Sequence, residues 1–249
     1  MRSITDPDVA HHSNAFDDLG DLSAAYAMTY RLLIGQKSYS SWSLRGWLFF
    51  AAFDIPVSVE HATIYGADFY DTVAGFGGHR TVPCARTPDG GRLTDTLAIA
   101  WHLVEAFPDR GFLPADPIRR AEALSLIAEM HSSFSALRTA CPVNLRTAWA
   151  DFQPSEAVLK DCARAEQIFA RAEGPFLFGD FSLVDAFYAP LATRFLTYGL
   201  PMAAPTRAYA TAITGHKAFQ TWRSEGLAED AEVPNYDMAP LKRLPFPEL

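Results

Sequence analysis

The chain has 249 residues, is 49% hydrophobic and 20% charged, and has a formal net charge of −8 at pH 7. These values are ordinary for a soluble globular protein with one large domain or two modest ones. The negative charge and the scattered Lys and Arg residues argue against nucleic acid as a partner. The three cysteines show no C-x-x-C spacing, which argues against a disulfide framework and favours a reducing, cytoplasmic environment. The seven histidines show no H-x-x-x-H spacing, which argues against a metal site.

The predicted elements start after a polar segment. Residues 1–27 contain no apolar core that would suit a signal peptide, and no segment of the chain approaches the ~20 apolar residues of a membrane span. We therefore predict a disordered or poorly ordered leader over residues 1–27 and no membrane partner.

The first predicted strand is the apolar run from Tyr30 to Ile34. A loop rich in hydroxyl groups follows, and a helical pattern continues to Ala51. The loop contains Ser38, Tyr39, Ser40, Ser41 and Ser43. A loop between a strand and a helix N-terminus can offer backbone N–H groups and the helix dipole to an anion. This segment is the first candidate for a binding site.

Four more elements are predicted before residue 108. Residues 57–64 alternate like a half-buried strand, and residues 65–79 form a loop with room for a short helix. A strand at 81–85 and its partner at 92–94 flank a Pro-Asp-Gly-Gly turn, and a helix covers 97–107. The order predicts an α/β domain over residues 28–108.

The remainder of the chain is predicted to be helical. Residues 109–117 are a proline-containing linker, residues 118–232 an all-helical domain, and residues 233–249 a proline-rich tail. Apolar spacing predicts one long helix through Leu124 and Leu137 and another over 158–172. Ser182 and Asp185 have the spacing of a capping box, and a last helix covers about 217–226.

Three short motifs in this order resemble those of the cytosolic glutathione S-transferase family, in particular its serine-type, zeta-like members. They are residues 40–45, 81–83 and 95–99, within a resemblance that covers about 29–230. The resemblance implies an α/β thioredoxin-like N-terminal domain followed by an all-α helical-bundle C-terminal domain. It also implies a cytoplasmic homodimer that uses glutathione as co-substrate and has no tightly bound cofactor.

The resemblance implies that a serine hydroxyl donates a hydrogen bond to the glutathione thiolate. A free thiol with a pKa near ~8.5 is mostly protonated at neutral pH, and such a bond lowers that pKa. Spacing to Arg45 makes Ser41 the first candidate, Ser40 the second and Ser43 the third. The alternative is that these serines only cap the helix.

The same resemblance assigns the rest of glutathione to two later motifs. Pro83 is expected to be cis, with the Val82 backbone pairing with the cysteinyl residue, although a proline that merely opens a strand is the alternative. Asp95 and Thr96 would hold the γ-glutamyl end, unless they only cap a helix. Arg80 would meet the glycyl carboxylate, or would be an exposed loop arginine.

The resemblance places an electrophilic second substrate between the domains. The candidate lining residues are Tyr39, Trp42, Met130, Phe134 and Arg138. The predicted function is a glutathione transferase that activates the thiol for attack on a small electrophile. Two alternatives are a zeta-like glutathione-dependent cis–trans isomerase and a non-catalytic glutathione-transferase-like interaction module.

Overall fold

The computed structural model describes residues 29–77, 80–229 and 232–247. The predicted leader, residues 1–27, lies outside the described residues. None of the helices in the described ranges is long and apolar enough to cross a membrane.

A four-stranded mixed sheet forms the first part of the fold. The strand order is β2-β1-β3-β4, with β1 and β2 parallel and the other two pairs antiparallel. Its elements are β1 (Tyr30–Ile34), α1 (Ser41–Ala51), β2 (Val57–His61), α2 (Phe69–Phe76), β3 (Cys84–Arg86), β4 (Arg92–Leu93) and α3 (Thr96–Ala106). The arrangement confirms the predicted thioredoxin-like α/β unit.

Both faces of the central strand β1 are covered. Leu32 and Ile34 belong to the large core that includes α1 and α3, whereas Leu33 packs with Val73 and Phe76 of α2 on the other side. A strand buried on both faces needs apolar residues at successive positions, which explains why Leu32, Leu33 and Ile34 are all apolar and do not alternate with polar residues.

The second part of the fold is helical, as predicted. Its elements are α4 (Pro117–Ser132), α5 (Ser135–Ala140), α6 (Glu156–Phe169), α7 (Leu183–Thr197), α8 (Ala204–Gly215) and α9 (Lys217–Ala228). Every residue of α7 is buried, so this helix is the centre of the helical part. The predicted capping box is present at its start, with Asp185 accepting from the Ser182 backbone N–H at 2.9 Å.

Two features of the helical part differ from the prediction. The long helix expected through Leu124 and Leu137 is wrong: it is split into α4 and α5, because Phe134 adopts a left-handed conformation with φ 60° that no α-helix continues through. The tail also has more structure than expected. Its strand β6 (Arg243–Pro245) pairs antiparallel with β5 (Thr147–Trp149).

The two parts pack together through α1 and the loop before it. Phe49 of α1 lies 5.0 Å from Phe187 of α7 between ring centroids. The Trp222 indole N–H of α9 donates to the Lys37 carbonyl at 2.8 Å. The Ser38 hydroxyl donates to the Gly226 carbonyl at 2.9 Å. The start of the hydroxyl-rich loop is therefore held against α9.

Helix α1 lies directly against Pro83, and we expect Gly46→Ala to be destabilising. A Cβ at Gly46 would lie 2.7 Å from Pro83 Cγ, so the helix or the Pro83 loop must move. Overpacking of this kind costs about 1–3 kcal/mol, measurable by urea denaturation. Gly75→Ala in α2 is the matched control, because nothing lies within 4 Å of its new Cβ. It should stabilise the protein by about 0.5–1 kcal/mol. Equal effects of the two substitutions would contradict this contact.

Candidate functional site

The hydroxyl-rich loop uses two of its serines internally. Ser40 is the N-cap of α1, and its Oγ accepts from the Ser43 backbone N–H at 3.2 Å. The Ser40 hydroxyl also donates to Ser43 Oγ at 2.7 Å, and Ser43 Oγ accepts from the Gly35 N–H at 3.0 Å. Both side chains are buried. This pair fixes the turn into the helix, as expected for a cap.

Ser41 differs from its neighbours because its hydroxyl has no hydrogen-bond partner among the described residues. It is the first residue of α1, it is half-buried, and it lines a cleft. A hydroxyl at the N-terminus of an eleven-residue helix lies where the helix dipole favours negative charge. Ser41 is therefore placed to donate to an anionic ligand atom.

A first cleft of about 260 Å³ brings the two later motifs together. Its lining residues are Trp42, Thr81, Val82, Pro83, Thr94, Asp95, Thr96 and His131. The Val82–Pro83 peptide bond is cis, as predicted. Four segments that are separate in sequence, among them the start of α1, thus meet at one cleft.

Asp95 and Thr96 lie at the N-terminus of α3. Asp95 is its N-cap and accepts from the Leu97 N–H at 2.7 Å. The Asp95 Oδ2 atom lies 3.6 Å from His131 Nε2. Thr96 is 1% exposed, and its hydroxyl has no hydrogen-bond partner among the described residues. Buried polar groups are normally satisfied, so this hydroxyl calls for a ligand or a water as partner.

Arg80 is not part of the lining of the first cleft. It is exposed, and its guanidinium lies over the Tyr70 ring at 5.8 Å from the centroid. Arg80 therefore has the position of an exposed loop arginine, which is the alternative to a contact with the glycyl carboxylate of glutathione.

A second cleft of about 380 Å³ adjoins the first, because Trp42 lines both. Its lining residues are Tyr39, Ser41, Trp42, Ser135, Arg138, Thr139, Pro142, Val143, Arg194 and Tyr236. The structure thus brings together Tyr39, Trp42 and Arg138 of the predicted second-substrate pocket. It does not bring Met130 and Phe134 there, because their side chains are 0% and 3% exposed and belong to the hydrophobic core.

Burial sets the protonation of the side chains around the second cleft. It raises the pKa of Tyr236 to about 12 and raises that of Tyr39, so both phenols keep their protons at neutral pH. It also lowers the pKa of Arg194 to about 10, which leaves the guanidinium charged. The cleft therefore offers hydrogen-bond donors and positive charge.

The cysteines of the chain are not suited to act as nucleophiles. All three side chains are buried, and burial raises the pKa values of Cys141 and Cys162 to about 12. The Cys84 thiol donates to the Thr81 carbonyl at 3.0 Å, as a buried strand residue. A reactive thiolate at this site has to come from a bound ligand. Among the described residues, no group of three or more His, Cys, Asp or Glu side chains could hold a metal ion.

Comparisons with known proteins identify the fold. Residues 39–106 match the family model described as glutathione S-transferase, N-terminal domain. No curated protein sequence matches the chain. A glutathione transferase homolog from Burkholderia gl BGR1, solved with bound glutathione, is 20% identical with a TM-score of 0.63, over 81% of this chain and 100% of its own. The fold is that of the glutathione transferases.

Two further solved structures show the same likeness. Glutathione transferase Omega 3C from Trametes versicolor is 18% identical with a TM-score of 0.60, over 83% of this chain and 94% of its own. A glutathione transferase homolog from Sulfitobacter with bound glutathione is 15% identical with a TM-score of 0.59, over 80% of this chain and 99% of its own. At identities this low, the structural similarity shows only that the fold is that of the glutathione transferases. The chemistry has to be argued from the residues of the site.

Sequence reasoning missed three residues that line the clefts of this glutathione transferase fold. His131 lies beside Asp95, and its ring centroid is 5.2 Å from that of Trp42. Arg194 is the one basic residue of the largely apolar helix α7, and this arginine among apolar residues is the signal available in the sequence. Tyr236 belongs to the tail and packs on Tyr39, with 5.1 Å between the two ring centroids.

Proposed function

We propose that this protein is a glutathione transferase that binds glutathione in the first cleft and activates its thiol for attack on an electrophilic small molecule. The observation that supports this most is the convergence of Val82, Asp95 and Thr96 on one cleft, where the buried Thr96 hydroxyl has no hydrogen-bond partner among the described residues, next to the cleft that Ser41 lines. The glutathione bound in two of the structures with this fold supports it as well.

The proposed roles follow from the geometry of each group. The Thr96 hydroxyl and the N-terminus of α3 suit the γ-glutamyl carboxylate, since both offer donors to an anion. The Asp95 carboxylate pairs with the ammonium of the same end. The Val82 backbone pairs with the cysteinyl backbone of glutathione in the manner of an added strand. These contacts direct the cysteinyl sulfur toward the start of α1.

In this proposal Ser41 is the hydrogen-bond donor to the thiolate. A bond to the charged form of the thiol, together with the helix dipole, lowers the thiol pKa. Ser40, the second candidate, already donates its hydroxyl proton to Ser43. The Ser41 hydroxyl stabilises the nucleophile and does not itself attack, so it needs no histidine partner.

We expect Ser41→Ala to raise the pKa of bound glutathione by about 1–2 units. A hydrogen bond to a charged group contributes about 1.5–3 kcal/mol, and each pKa unit corresponds to about 1.4 kcal/mol. Thiolate absorbance measured against pH for the bound thiol checks this result. Ser40→Ala is the matched variant: it should cost about 1 kcal/mol of stability through the lost cap and leave the thiol pKa unchanged. An unchanged pKa in Ser41→Ala would remove Ser41 from its role.

The consumption of glutathione during turnover distinguishes conjugation from isomerisation. Conjugation consumes one thiol for each product molecule, whereas an isomerisation of the zeta-like kind leaves the thiol concentration constant. A titration of free thiol during turnover therefore separates the two chemistries. We further propose that the active form is a cytoplasmic homodimer.

A further inference from the structure

Three arginines lie around the second cleft and form what we call the arginine cluster: Arg45, Arg138 and Arg194. The Cζ atoms of Arg45 and Arg138 lie 4.4 Å and 4.7 Å from the centroid of the Trp42 ring. Arg138 and Arg194 line the cleft. Burial and the positive charges of the other two members lower the pKa of Arg45 well below its usual value. The three guanidinium groups are thus close enough to repel one another.

No carboxylate in the described ranges forms an ion pair with any member of the arginine cluster. Arg138 and Arg194 donate to backbone carbonyls, those of His131, Ser133, Cys141 and Pro190. Arg45 is fully buried and donates through Nε to the Phe187 carbonyl at 2.8 Å. Its Nη1 and Nη2 atoms are buried and have no hydrogen-bond partner among the described residues. Charged groups in this state are costly unless an anion pairs with them.

Several arginines elsewhere in the protein form ion pairs with carboxylates. Arg31 binds Glu60, Arg164 binds Glu129 and Arg171 binds Glu122. The chain as a whole has a net charge of −8, so acidic residues are not scarce. The only charged residues among those that line the second cleft are Arg138 and Arg194, and its other polar lining groups are neutral hydroxyls such as those of Ser41 and Tyr39. This lining favours an anion.

We propose that the second substrate is an electrophile that bears a carboxylate, and that Arg138 and Arg194 bind this carboxylate while Arg45 adds to the positive potential behind Trp42. This inference rests on the proposed function. A cleft of about 380 Å³ is at the small end of ligand sites, so the substrate is a small molecule. The planar fork of arginine suits a carboxylate, and Ser41 lines the same cleft, so a sulfur bound to its hydroxyl lies beside the bound electrophile.

A pair of probes that differ only by the carboxylate tests this inference. Chlorodinitrobenzoate and chlorodinitrobenzene react alike: the thiolate sulfur bonds to the ring carbon that carries chlorine, the C–Cl bond breaks, and chloride leaves with its electron pair. The thiol proton goes to solvent. We expect Arg138→Met to lower the ratio of kcat/KM for the benzoate over that for the benzene by about 10–100-fold, the effect of losing a charge-assisted contact.

Two further variants sharpen the comparison. Arg171→Met removes the same charge at an exposed surface pair and should leave the ratio unchanged. Arg138→Lys keeps the charge and loses the fork, so its ratio should lie between those of the wild type and Arg138→Met. Circular dichroism establishes that each variant is folded. A ratio that does not respond to Arg138→Met in a folded protein would overturn the proposal.

Calorimetric binding of dinitrobenzoate, which has no leaving group, separates this inference from the proposed function. We expect it to bind to the wild type and to bind at least about 10-fold more weakly to Arg138→Met. If neither chloro probe is conjugated but this binding holds, the transferase activity fails and the carboxylate site stands. If conjugation proceeds and dinitrobenzoate binds no better than dinitrobenzene, the carboxylate site fails and the transferase activity stands.

Discussion

Replacing Asp185 by alanine should lower the free energy of unfolding by about 3–5 kcal/mol, a large share of the 5–15 kcal/mol typical of a folded domain. The Asp185 side chain is fully buried and accepts four hydrogen bonds. The donors are the backbone N–H groups of Leu177 and Ser182 and the hydroxyls of Ser182 and Tyr209, at 2.8–3.0 Å. Alanine would leave these donors buried without partners, and each orphan costs about 1–3 kcal/mol.

Asp116→Ala is the matched control for this effect. Asp116 is also a helix N-cap and accepts from the N–H groups of Ile118 and Arg119 at 3.0 and 2.9 Å, but these bonds are exposed. Water replaces an exposed partner, so the expected loss is only about 1 kcal/mol. Urea denaturation with an unchanged m-value measures both variants. Similar losses for the two aspartates would contradict the assignment of Asp185 as the central polar anchor of α7.

Asp95→Asn should weaken glutathione binding by about 10–100-fold, because it removes a charge-assisted bond worth about 1.5–3 kcal/mol. Asparagine is as good an N-cap as aspartate, so the bond to the Leu97 N–H and the start of α3 are retained. The substitution therefore separates ligand recognition from helix capping. Isothermal titration calorimetry of both proteins with glutathione measures the ratio of the two Kd values.

Cysteinylglycine identifies the part of the ligand that Asp95 recognises. This dipeptide lacks the γ-glutamyl group, so the wild type and Asp95→Asn should bind it with equal, weaker affinity. Asp116→Asn changes a helix cap away from the first cleft and should leave glutathione binding unchanged. An equal loss of affinity for both ligands in Asp95→Asn would argue against a contact between Asp95 and the γ-glutamyl end.

The elements of this fold that could be predicted from sequence are those with local causes. The apolar residues of β1 and the capping box at Ser182 and Asp185 depend on residues within a few positions of one another. The same holds for the start of α3 at Asp95 and Thr96. Their positions in the structure agree with the prediction because burial and capping act on the segment itself.

The elements that could not be predicted depend on contacts between distant segments. The break at Phe134 requires a left-handed residue whose ring is held in the core, where it lies 6.1 Å from the Tyr188 ring. Strands β5 and β6 are three residues each, too short to show alternation, and they are far apart in the chain. The arginine cluster joins α1, α5 and α7, and no spacing in the sequence relates its members.

Titration of the wild-type protein with glutathione tests the central claim most directly. The convergence of Val82, Asp95, Thr96 and Ser41 on adjoining clefts predicts saturable binding of one glutathione per chain, with a Kd in the millimolar range or below and a bound thiol whose pKa lies below its value in solution. The absence of saturable binding at millimolar glutathione would contradict the account and leave a non-catalytic module with this fold.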